Sequence, residues 1–94
     1  MPVTKLAKKQ VRVVERRRQR NRSIRSQVKT RITKAERLIF SGELESAQSA
    51  VVAAISSLDK AAEKGVIHPN NAARRKARLV KKLNEAQAYF QSQA

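Results

Sequence analysis

The chain has 94 residues, with 22 Lys and Arg against 7 Asp and Glu, a net charge of +15, and no cysteine or tryptophan. This length accommodates one small domain with one modest core, so an enzyme with its own substrate cleft is not expected. Without cysteine there is no disulfide, thiolate metal site or cysteine nucleophile, and a reducing compartment fits best.

Val, Ile, Leu and Phe together make 22 of the 94 residues, just above the roughly 20 % below which highly charged chains tend to stay disordered. Folding therefore leaves little margin for self-repulsion. A charge of +15 calls for a polyanionic partner, which points to nucleic acid before an anionic membrane surface. No run of about 18 apolar residues and no secretory signal is expected to take the chain into or across a membrane.

The charge is segregated along the chain. Residues 1–37 carry 14 basic and 2 acidic side chains, residues 38–63 carry Lys60 against Glu43, Glu45, Asp59 and Glu63, and residues 64–94 carry 7 basic side chains and Glu85. Three helices are predicted in that order. The first spans about 4–41 and stops at Gly42, where glycine adopts the left-handed conformation without a Cβ penalty. The second spans about 43–64 and stops in the same way at Gly65, with Val66 and Ile67 placed for the accompanying apolar contact. The third opens after His68 at Pro69, because the first helical position tolerates a missing N–H, and runs to about 91.

Apolar spacings of three and four support each helix. They fall at Ile24, Val28, Ile32, Ala35 and Ile39, then at Leu44, Ala47, Val51, Ala54, Leu58 and Ala61, then at Leu79, Leu83, Ala86 and Phe90. No period-two pattern competes. The fold class is all-α: a three-helix up-down-up bundle of a single domain, 1–94.

A first helix over 4–41 would be roughly 57 Å long against about 33 and 35 Å for the others, so it must overhang the bundle. Since Gly42 ties its C-terminal end to the second helix, the overhang is the N-terminal half. There Lys5, Lys8, Lys9, Arg12 and Arg16 share one side, opposite Leu6 and Val14. Arg16, Arg17, Arg18, Arg20 and Arg22 point all around the helix, with no apolar residue from Glu15 to Ser23. A helix basic on every side has no core to lie against, so residues 1–22 are expected to be disordered when free and to be enclosed by phosphates when bound.

The third helix carries Arg74, Arg75, Arg78, Lys81 and Lys82 opposite its apolar stripe, whereas the outer side of the second carries Glu45, Ser46, Ser49, Ser56, Asp59 and Glu63. The first and third helices should face the polyanion and the second should face away. Arginine suits two-point phosphate contact. Aromatics (Phe40, Tyr89, Phe90) are too few for a platform that reads single strands, and Phe90 belongs with the core, so backbone and shape recognition of folded nucleic acid is expected. A helix-turn-helix arrangement around Gly65–Asn70 is a weaker possibility. No catalytic or metal residues and no cofactor are expected, since the single histidine, His68, has no second ligand to join it.

The run Lys64-Gly65-Val66-Ile67-His68-Pro69-Asn70-Asn71-Ala72-Ala73-Arg74-Arg75-Lys76-Ala77-Arg78-Leu79 closely resembles the signature of the S-twenty family of bacterial small-subunit ribosomal proteins. Residues Arg20 to Thr30, the lysine-rich opening and the Ser41-Gly42-Glu43 turn resemble the same family in order. The resemblance implies a three-helix protein that binds small-subunit (16S) ribosomal RNA directly and early in assembly. It would sit as a monomer within the ribosome, with other small-subunit proteins as neighbours, in the cytoplasm or in the plastid stroma if plastid-encoded. The chain departs from the family at Pro69, where a lysine is usual, and at Ala77, where a serine is common.

With the resemblance added, the expected RNA-binding residues are the basic side chains of the overhang together with Asn21, Arg25, Ser26, Lys29, Thr30 and Lys34 on the first helix. On the turn and the third helix they are Lys64, His68, Asn70, Arg74, Arg75, Lys76, Arg78, Lys81 and Lys82. His68 is expected to cap the third helix and, from its place in the motif, to touch RNA; Asn70 and Asn71 sit where they satisfy free N–H groups. Asn21 is a poor helix former in mid-helix and calls for a compensating contact, while Ser26 and Thr30 either reach phosphate or bond back to the helix. A histone-like architectural DNA-binding protein is the alternative, although the wedge residues such proteins use are missing. A basic amphipathic membrane or partner-helix binder is a third, disfavoured by the scarcity of apolar residues in the overhang.

Overall fold

A computed structural model describes residues 5–93, and side chains for residues 8–92. Three helices follow one another, α1 (Lys5–Ser41), α2 (Leu44–Glu63) and α3 (Pro69–Gln93), and no strand occurs among the described residues. Both inter-helix turns are built on the expected glycines, Gly42 at φ 81° and Gly65 at φ 76°. Each forms the six-to-one and five-to-two bonded helix stop: Glu43 N–H donates to Leu38 O and Gly42 N–H to Ile39 O, then Val66 N–H to Ala61 O and Gly65 N–H to Ala62 O. Val66 and Ile67 are buried directly after the second stop, so the turn is also held by apolar contact.

The core is small and rich in alanine. Ala35, Ala47, Ala54, Ala61 and Ala72 bring the helices close, and Val28, Leu58 and Leu79 are the largest fully buried side chains. The stripe of α2 is buried along nearly its whole length, whereas in α3 only Ala72 and Leu79 are buried, and Leu83, Ala86 and Phe90 lie at the edge. Ser57 is the one buried polar residue among those described. Its hydroxyl donates to Ala53 O and accepts from the Arg31 guanidinium, which ties α1 to α2.

The ring of Phe90, near the end of α3, lies over Gly42 at the end of α1, while Arg25 of α1 lines the same hollow as His68 at the start of α3. Thus α1 and α3 run parallel with antiparallel α2 beside both, giving the up-down-up order. Among the described side chains no buried residue precedes Val28 in α1, and residues 8–20 are all exposed. The long axis measures 72 Å and the radius of gyration 18.7 Å, against about 12 Å for a compact chain of this size. The difference is the overhang, in which residues 8–23 extend roughly 24 Å past the bundle. The part of the expected extension formed by residues 1–4 lies outside the described residues.

Candidate nucleic-acid interface

The overhang presents Lys8, Lys9, Arg12, Arg16, Arg17, Arg18, Arg20 and Arg22 to solvent; the Lys5 side chain lies outside the described set. The overhang departs from the expected scarcity of apolar residues. The N-terminal part is not poor in exposed apolar groups, because Val11, Val13 and Val14 are 66 %, 37 % and 62 % exposed. All-round charge begins only after Val14, and the segment before it is amphipathic. Asn21 is half-buried where α1 leaves the bundle, on the side of the helix that continues into Ile24 and Val28.

Past Asn21 the basic residues converge on a groove between α1 and α3. At its open end Arg25 and Lys29 face His68, Asn71 and Arg75 across a floor of Val66 and Ile67. Farther along, Lys29 and Thr33 face Arg75, Arg78 and Lys82 across Ile32 and Leu79. Lys82 Nζ reaches Glu36 Oε1 at 3.1 Å and closes the charged stretch. Five cations and one carboxylate thus line a shallow channel with an apolar floor, a shape suited to phosphate contact rather than base readout.

His68 caps α3: its Nδ1 accepts from the Asn70 backbone N–H at 3.1 Å, and its carbonyl accepts from Asn71 and Ala72 N–H. The cap uses the unprotonated ring nitrogen as acceptor and holds the ring at the groove mouth. Asn70 is exposed beside it, and half-buried Asn71, expected chiefly to serve the helix start, lines the groove. Thr30 bonds back to Ser26 O at 2.9 Å, one of the two possibilities held open for it, and Ser26 is exposed.

The basic face expected of α3 is divided. Arg75, Arg78 and Lys82 belong to the groove, and Arg74 and Lys81 are exposed away from α1. Lys76 turns the other way, with Nζ 2.8 Å from Asp59 Oδ1 of α2. Ala77 lies on that same α2–α3 side, with Ile55, Ala73 and Val80. Lys34 is exposed on the outer face of α1 and Lys64 at the end of α2. Arg31, which no sequence pattern singled out, is committed to Ser57. On α2, Glu45, Asp59 and Glu63 are all exposed. No group of side chains able to hold a metal ion occurs among the described residues, and none of their helices is long and apolar enough to cross a membrane.

The profile of the family described as Ribosomal protein S20 matches residues 2–84. The chain is 58% identical over 86 residues to the small ribosomal subunit protein bS20 of Dehalococcoides mccartyi, covering 92% of this chain and 98% of that protein. It is 55% identical over 84 residues to the bS20 protein of Thermomicrobium roseum (89% and 85% of the two chains), and 48% over 84 residues to that of Geobacillus thermodenitrificans (89% and 94%). The family match spans both glycine turns, His68 and the groove residues. The chain belongs to the ribosomal protein S20 family, structural proteins of the small ribosomal subunit rather than enzymes.

Proposed function

We propose that this protein binds small-subunit ribosomal RNA directly in the cytoplasmic ribosome, through two contiguous basic surfaces formed by α1 and α3. The overhang, basic on every side after Val14, enters between phosphates, and the α1–α3 groove carries a backbone segment past His68 toward Lys82. The observation that carries this is the sorting of charge by helix: the exposed cations cluster on α1 and α3, while exposed α2 presents Glu45, Asp59 and Glu63. Helicity of the overhang in the free protein has no tertiary support, since residues 8–20 touch no core. We attribute its ordering to RNA, a folding step coupled to binding.

The alternative, an architectural DNA-binding protein, is tested by competition. Labelled small-subunit ribosomal RNA bound to the protein should resist displacement by a large excess of duplex DNA. Equal displacement by both polyanions would leave only general charge attraction and remove the preference for ribosomal RNA.

A further inference from the structure

Two of the three aromatic side chains are exposed, and helix spacing puts both beyond the far end of the basic groove. Phe40 is 92 % and Tyr89 59 % exposed. On α1 the groove wall is the row Arg25, Lys29, Glu36 and Phe40, whose spacings of four, seven and four keep it on one face of the helix. On α3 the row Arg75, Arg78, Lys82 and Tyr89 has spacings of three, four and seven and does the same. Both walls therefore run from cations to an aromatic. The change comes just after the Glu36–Lys82 pair, one turn before Phe40 and two turns before Tyr89.

Single exposed apolar residues need no explanation. Here two rings terminate the two walls of one channel, and Tyr89 is held in place by the neighbouring Phe90, whose ring meets it edge-on at 5.2 Å and 84° while lying over Gly42. Arg37, three residues before Phe40, is exposed and lies within one turn of it on α1. Phosphates are held by charge and bases by flat apolar faces, so a nucleotide chain leaving Arg78 and Lys82 meets the surface suited to its other half. We propose that Phe40 and Tyr89 form a clamp that stacks an unpaired nucleobase of the RNA lying in the α1–α3 groove. Tyr89 lies beyond residues 2–84, which the family profile matches. The clamp rests on the proposed binding of ribosomal RNA in that groove, and it takes any base, because every base has a π face.

The chain contains no tryptophan, so Phe40→Trp places a single reporter at the clamp. With a transcript of full-length bacterial small-subunit ribosomal RNA, binding followed by anisotropy of the RNA should be accompanied by strong quenching of the tryptophan emission. The double variant Phe40→Leu, Tyr89→Leu keeps apolar bulk without a ring; it should retain the parental melting profile and bind about tenfold more weakly, as for one lost stacked base. Its salt dependence should stay parental, because no phosphate contact is removed. Unquenched emission in a formed complex, or parental affinity of the double variant, overturns the clamp while leaving RNA binding intact and reassigns the rings to a protein neighbour. If the parent itself does not bind the transcript, the clamp and the RNA-binding reading fall together.

Discussion

The ring of Phe90 occupies the space above Gly42, so that a Cβ built on this glycine would lie 2.7 Å from the ring tip. Gly65 performs the same turn at a similar φ with nothing within 4 Å of such a Cβ. The two glycines therefore separate backbone strain from packing. Gly65→Ala should cost about 1 kcal/mol, the strain of a left-handed alanine. Gly42→Ala should cost about 1 kcal/mol more, because the ring must also move. Equal urea midpoints for the two variants would show that Phe90 does not rest on the turn.

Leu58 is wholly buried and Leu83 only partly so. Leu58→Ala should lower stability by about 2–4 kcal/mol, the range for a buried leucine in a core that cannot collapse. Leu83→Ala should cost less than half as much, although the two share an apolar seam by sequence spacing. Thermal melts decide it: the bundle is wrongly packed if Leu83→Ala is the more damaging.

The boundaries, both glycine stops, the cap and the overhang were all legible in the sequence because each is a local property: a positive φ, a helix period, a length. What escaped depends on how helices sit beside one another. The family resemblance put Lys76 with Arg75 and Arg78 among the RNA-binding residues, and only the approach of α2 turns it to Asp59. Arg31 was one of many cations until the packing brought Ser57 to it. Phe40 follows buried Ile39 in an apolar run, and nothing local says that the next residue, about 100° farther round the helix, faces solvent.

His68 has two roles that substitution can separate. His68→Ala should lose about 1 kcal/mol with the cap, and His68→Asn should restore it, since asparagine is a strong N-cap. If the imidazole also touches RNA at the groove mouth, the asparagine variant recovers its melt but not its affinity. Full recovery of both in a filter-binding assay would reduce His68 to a cap.

Amide exchange tests the state of the overhang. In the free protein residues 8–22 should exchange much faster than residues 44–63, which are packed on the core, and should become protected when ribosomal RNA is added. Equal protection of both segments without RNA would mean that the overhang is held by something other than the ligand.

Enclosure of the overhang by phosphates is measured most directly by the salt dependence of RNA binding. Each neutralised phosphate releases condensed counterion and adds about 0.7–0.9 to the slope of log affinity against log salt. Replacing Arg17, Arg18 and Arg20 by Gln keeps helix propensity nearly constant, so it should weaken binding and flatten that slope by roughly two to three units. A control replaces Glu45 and Glu63 on the outer side of α2, avoiding Asp59 because of its pairing with Lys76, and should leave the slope almost unchanged. A triple-arginine variant that binds small-subunit ribosomal RNA with the parental slope would contradict the account and leave the groove between α1 and α3 to carry the interaction alone.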